Sequence, residues 1–325
     1  MAEENESQEV EETGEDIQRQ ERFWLDHFSG ELPVLSLPVD FSRPHLQDFS
    51  GSAVPFRFNA EVTQKLNRLA ETYDVTLFML LNGLFTILLG KLSGQEDIVV
   101  GTGVGGRRHA DLQDIIGIFV NTLALRGYPV KEKSFEEFLS EAKETALAAF
   151  DNQEYPFENL VEHLGVARDT SRNPLFDTMF MLQSYESATG AVPERAVIGQ
   201  RDTSIAGDIE ALDFDHRVSK FDLMLVAEET GNEISLFLEY ATALFKLETV
   251  EYFVRWFREI VNVAVADPNR SIGELQGASH HSREELVERL SRDLEAEVLP
   301  FHQPGQTVQD KLRLSFQQFK TGNCT

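Results

Sequence analysis

Cysteine is almost missing: Cys324 is the only one in 325 residues. That excludes a disulfide framework and a thiolate metal cluster. Positive charge is also scarce. With 29 Lys and Arg against 55 Asp and Glu, the net charge is −26. Such a chain repels nucleic acid and anionic membranes at long range, so neither is expected as a partner. Long apolar runs are lacking too. The longest, Leu77 to Leu89, is broken by Asn82, Gly83 and Thr86 and reads as a buried helix rather than a span. The acidic N-terminus has no apolar core of the kind a secretory signal needs. A soluble cytoplasmic protein is the expectation.

What the chain does have is apolar bulk. Hydrophobic residues make up 42% and Phe alone occurs 24 times, enough for a sizeable core in one large domain or two ordinary ones. Residues Met1 to Ile17 carry eight acids and no base, so a disordered, solvated leader is expected. Order is expected from "RFWLDHFSG", where Phe23, Trp24 and Phe28 share one helical face. The three prolines of "ELPVLSLPVDFSRP" predict an extended connector. Asn59 caps a helix with Val62, Leu66, Leu69 and Tyr73 on its apolar side. A buried helix follows over 76–92, then the strand "EDIVVG". Ser134 and Glu137 form a capping box for a helix to Phe150, burying Phe135, Phe138, Leu139, Ala142 and Ala146. "NPLFDTMFMLQ" reads as a strand opening at Pro174. "KFDLMLVAEE" and "EISLFLEYATALF" read as a hairpin turning at Gly231. A last helix covers 248–264. This order predicts an α/β fold with a mixed sheet and helices mainly on one face.

Gly101, Gly103 and Gly106 spell G-x-G-x-x-G after a strand. A dinucleotide site would need a helix opening on the last glycine and an acid about 20 residues on. Here Arg107, Arg108 and His109 follow, the next strand begins by Ile118, and Arg126 stands near the place of the acid. The glycines are therefore expected to let the backbone turn sharply or approach another chain closely.

Three segments point elsewhere: "IIGIFVNTLALR" (115–126), "DNQEYPFENLVEHL" (151–164) and "RDTSRNPLFDTMF" (168–180). Together they resemble the condensation domains of nonribosomal peptide synthetases, which carry G-x-F-V-N-T-x-x-x-R, Q-x-x-P-F-E and R-D-x-S-R-N-P-L-F in this order. The resemblance implies a chloramphenicol-acetyltransferase-like fold of two lobes around a tunnel. It also implies peptidyl carrier proteins that bring acyl thioesters on phosphopantetheine arms, and amide formation by attack of an acceptor amine. No directly bound cofactor is expected. The family's H-H-x-x-x-D-G does not occur. The only adjacent histidines, His280 and His281, have no Asp-Gly after them and follow the three motifs instead of preceding them. The chain thus resembles a single C-terminal lobe over 20–275, behind a leader (1–19) and before a linker and truncated adenylation-domain lead-in (276–325). The leading expectation is a fragment or remnant of a condensation domain. The alternatives are a non-catalytic module that binds a carrier or a partner lobe and, ranked below both, an independent acyltransferase.

By that resemblance Asn121 faces the tunnel in a positioning role. An Asn that only satisfies backbone groups at a strand end is the competing reading. Arg107 either pairs with a carboxylate across the lobe junction or is solvated. Gly117, Phe119 and Arg126 are motif residues, with Arg126 read as structural. Gln153, Pro156, Phe157 and Glu158 join one helix to the next, with Glu158 placed to favour a helix N-terminus. Arg168, Asp169, Ser171, Arg172 and Asn173 are expected to form a hydrogen-bonded loop before Pro174. His27, His45, His109 and His163 lack metal-ligand spacing.

Overall fold

The computed structural model describes residues 2–105, 120–183, 218–275 and 286–288. Among the described residues, six α-helices and six strands follow the order α1 (Ala2–His27), β1 (Gly51–Phe58), α2 (Ala60–Thr72), α3 (Leu77–Ser93), β2 (Ile98–Gly105), β3 (Val120–Gly127), α4 (Phe135–Asp151), α5 (Phe157–His163), β4 (Thr178–Gln183), β5 (Leu223–Thr230), β6 (Glu233–Ala241) and α6 (Leu247–Ala266), with a short 3-10 helix, Ile272–Glu274, after them. The strands form one mixed sheet in the order β1-β6-β5-β4-β2-β3. β4 runs parallel to both β2 and β5, and the other pairs are antiparallel.

Local chemistry sets the helix starts. Asn59 Oδ1 accepts from Val62 N at 3.1 Å and Thr76 Oγ1 from Met79 N at 3.2 Å. Ser134 and Glu137 form the reciprocal capping box ahead of α4. Gly94 ends α3 at φ 73°, and Gly231 turns the β5–β6 hairpin at φ 64°. α3 is apolar nearly all round, which suits a helix covered on every side. It lies with α2, α4 and α6 on one face of the sheet, over Ile98, Val100, Phe180, Leu225 and Leu238. A second, smaller cluster gathers Trp24 of α1, Phe28 just after it, Leu160 of α5, and Val99, Ala124, Leu175 and Phe176.

Several elements differ from the sequence reading. The acidic leader is helical backbone, continuous with α1. Glu and Gln are good helix formers, acids suit a helix N-terminus, and the far end of α1 is anchored. Trp24 and Phe28 are each 2% exposed, and Gln20 is buried with them. The ordered contacts therefore start before residue 20, with Arg19 bonded to Asn152.

β1 is not apparent in the sequence. Pro55 interrupts it, but β1 is an edge strand, where a missing N–H is tolerated. β4 opens at Thr178, not at Pro174, because Asp177 folds the preceding loop back on itself. Leu175 in that loop takes φ 71°, held there with its side chain buried. Ala142, finally, is only half-buried, and Ala149 completes the inner face of α4.

The first two glycines of the run lie within β2, not in a loop. A Cβ on Gly101 would meet the Phe176 ring at 2.1 Å, so close packing is what requires glycine there. Gly106 lies outside the described residues.

Candidate functional site

Asn121 stands near the start of β3, against the turn between α4 and α5. Its Nδ2 donates to Gln153 O at 2.7 Å and Tyr155 O at 2.8 Å. Its Oδ1 accepts from Thr122 N at 2.8 Å and Phe157 N at 3.3 Å. The whole amide is thereby spent on backbone. From the other side α1 holds the same turn. Gln20 Oε1 accepts from Glu154 N and Tyr155 N, both at 3.1 Å, and Trp24 Nε1 donates to Asn152 O at 2.8 Å. Gln153 Nε2 closes back on Phe150 O at 2.7 Å. Pro156 is the residue before α5 and offers no side-chain cap, while Glu158 sits in its first turn.

Tyr155 is buried, and its hydroxyl lies 2.7 Å from His163 Nδ1, which is itself 3.5 Å from Glu21. Burial, with the nearby Glu21 carboxylate, pushes the Tyr155 phenol up.

The 168–177 loop forms the neighbouring wall. Asp169 Oδ1 accepts from Ser171 N at 2.8 Å and Ser171 Oγ at 2.7 Å, and these bonds hold its carboxyl below the usual range. Arg172 pairs with Asp177 and donates to Leu35 O at 3.2 Å. Asn173 Nδ2 donates to Lys220 O at 2.8 Å. Arg43 pairs with Asp222 and donates to Ser171 O at 3.1 Å, tying the connector after α1 to this loop. Burial raises the Asp177 carboxyl, and Asp222 adds to it. Arg172 and Arg43 oppose the shift without cancelling it. Arg168 is exposed at the lip.

Between the Leu32–Leu35 strap, α5 and this loop lies an open cleft of about 1160 Å³. Val99, Leu175 and Phe176 line its inner side.

Arg126 lies apart from the turn and the loop. It makes a two-pronged pair with Asp97 (2.9 and 2.7 Å), donates to Glu31 O at 3.0 Å, and stacks between Phe28 and Tyr128. Arg107, Gly117, Phe119 and His109 lie outside the described residues. Among the described residues no group of three or more His, Cys, Asp or Glu side chains is arranged to hold a metal.

Asp40, Arg43, Gln20 and Asp97 are not legible in the sequence. Asp40 caps α6 from outside, its Oδ2 accepting from Lys246 N at 2.8 Å. A lone Asp between prolines carries no signal of a partner two hundred residues on.

The family model for the condensation domain matches residues 5–287. The chain belongs to the condensation-domain family. This condensation-domain chain is 43% identical over 271 residues to surfactin synthase subunit 1 of Bacillus subtilis (strain 168), covering 83% of the chain and 7% of that protein. It is 42% identical over 273 residues to tyrocidine synthase 3 of Brevibacillus parabrevis, covering 84% and 4%. It therefore spans only a small part of either relative. Among solved structures, it is similar to the four-domain nonribosomal peptide synthetase holo-AB3403, bound to AMP and glycine. There the TM-score is 0.71 at 27% identity, over 78% of this chain and 20% of that one. The condensation domain of Monacolin K polyketide synthase shares the fold at a TM-score of 0.64 and 18% identity, over 82% of this chain and 61% of that one. The Asn121 turn, the 168–177 loop and the cleft thus lie side by side in this condensation-domain fold.

Proposed function

We propose that this chain is one lobe of a condensation centre and that its reaction is amide formation between carrier-bound aminoacyl or peptidyl thioesters. The observation that carries the reading is a contrast within the sequence. The F-V-N-T, P-F-E and R-D-x-S-R-N-P-L-F segments stand in family order, yet H-H-x-x-x-D-G occurs nowhere in 325 residues. A lobe bearing that histidine signature would complete the tunnel.

In the reaction the acceptor amine attacks the thioester carbonyl. A C–N bond forms, the C–S bond breaks, and the phosphopantetheine thiol leaves. A histidine within hydrogen-bond reach would orient the amine and take its proton. This chain's part is positional. Asn121 cannot take a proton near neutral pH, and neither can the always-charged Arg107. Through its bonds to Gln153, Tyr155 and Phe157, Asn121 instead keeps one wall of the tunnel rigid.

The test is a loaded donor carrier and a loaded acceptor carrier, with dipeptide followed by mass spectrometry. Product is expected only when a lobe bearing H-H-x-x-x-D-G is added in trans. Turnover by the chain alone, lost on His109→Ala, would overturn the one-lobe reading and favour an independent acyltransferase. The second reading, a non-catalytic binding module, draws support from the open cleft beside α5. Carrier binding with no turnover in the completed system would favour it.

A further inference from the structure

Lys91, in the last turn of α3, stands where three segments converge. The residue before it, Gly90, lies so close to the connection between β3 and α4 that a Cβ there would meet Pro129 at 2.8 Å. The 3-10 turn Ile272–Glu274 is tied to the same connection, through Gly273 N to Lys131 O at 2.9 Å and Ile272 N to Lys133 O at 2.7 Å. The Lys91 side chain enters this junction half-buried. Its Nζ finds one long bond there, 3.4 Å to Gly273 O.

The acids of the connection and the turn are engaged elsewhere. Glu132 pairs with Lys131, and Glu274 accepts from Ser271 N at 3.3 Å. Among the described residues Lys91 has no carboxylate partner. Other lysines do: Lys65 holds Glu61 at 2.7 Å, Lys133 holds Glu141 at 2.6 Å and Lys143 holds Asp74 at 2.8 Å. An amine kept from water without a counter-charge gives up its proton more readily, and burial takes Lys91 down to about 8. At pH 8 about half of such an amine is neutral, against less than about 1% of a lysine of ordinary basicity. The neutral form is a nucleophile and the ammonium is not.

We propose that Lys91 is an acylation site, at which Nζ takes acyl groups from thioesters. The neutral amine attacks the thioester carbonyl carbon. A C–N bond forms, the C–S bond breaks, and the thiol leaves with the proton that the nitrogen sheds. The product amide is uncharged and keeps one N–H for Gly273 O, so the junction no longer has to hold a charge. That the acyl donor is a thioester rests on the condensation reading, in which carrier arms present that group; the exposure of an unpaired amine in the junction does not.

The test treats the full chain with the acetyl thioester of N-acetylcysteamine and follows each acetylated lysine by peptide mass spectrometry. At pH 8 Lys91 is expected to react about tenfold faster than the exposed Lys220, since its larger neutral fraction outweighs its lower basicity. The preference should vanish in urea that unfolds the chain. Lys91→Arg should lose the fast site and leave the slow ones unchanged. Matching rates at Lys91 and Lys220 in the folded chain overturn the proposal. A preference that survives unfolding also overturns it, because it would come from the local sequence. Fast reaction with acetyl phosphate but not with the thioester overturns the choice of donor and points to acyl phosphates. No partner lobe takes part, so an unreactive Lys91 leaves the condensation reading standing, and a two-lobe assay without dipeptide leaves a measured acylation standing.

Discussion

Asn121 shows how one side chain can organise a site without chemistry of its own. Its two donor and two acceptor bonds hold β3 to the turn that leads into α5. Asn121→Ala leaves those backbone groups short of partners, and about 1–3 kcal/mol of stability should be lost in a urea melt. In the two-lobe assay product formation should slow while carrier affinity is unchanged. Asn121→Asp should be worse than Ala, because a carboxylate would face two carbonyl oxygens.

Lys91, at the end of α3, makes a different residue-scale prediction. Its Nζ has a 3.4 Å bond to Gly273 O, and burial pushes its pKa down to about 8 from 10.5. The folded chain therefore holds this proton more weakly than the unfolded one. Between pH 8 and 10.5 the unfolded state binds more proton, so stability rises with pH across that window. Below pH 8 the full cost, about 3 kcal/mol, is present. Lys91→Met should thus be more stable at pH 7 by about 1–3 kcal/mol. The gain should vanish as the pH approaches 10.5. An equal gain at pH 7 and pH 10 in paired urea melts would assign it to packing instead of charge.

Among the elements, α1 departs most from its sequence reading. Composition alone marks its first half as unable to order, since acids offer little apolar surface to bury. Its second half anchors on a surface that no window of sequence reveals: the 152–155 turn, bonded to Arg19, Gln20 and Trp24. Trp24→Ala should cost about 3–5 kcal/mol through the lost packing and the orphaned Asn152 carbonyl. Limited proteolysis of the variant should then cut within α1 first, whereas the parent chain should resist from about Asp16 onward. Equal resistance in both would mean that α1 is held by contacts other than these. β1 is hidden for the opposite reason. Val54, Phe56 and Phe58 alternate inward correctly, but Pro55 masks the pattern, and only pairing with β6 makes it an edge strand. The elements with complete local signals, α2, α3, α4 and the β5–β6 hairpin, are legible from the residues alone.

For the whole molecule, charge opposes association. At −26 the chain repels its own copies, so contact between apolar faces that they expose is opposed electrostatically. Raising salt from 20 mM to 500 mM shortens the screening length from about 20 Å to about 4 Å. Sedimentation should therefore show self-association increasing with salt; a monomer at every salt level would mean that the apolar face is covered. The family, the mixed α/β class, the capped helices and the Gly231 turn are all written in the string of residues. Each depends on residues within a few positions of one another, or on motifs matched as strings. Strand order and the partners of the site residues arise only once the chain has folded. Asp40 caps a helix 206 positions away, Arg43 meets Asp222 across 179, and Asn121 meets Tyr155 across 34. Gly101 is glycine because Phe176 occupies the space where a Cβ would stand. A side chain's polarity can be read from its letter, but its partner is set by the path of the chain between them.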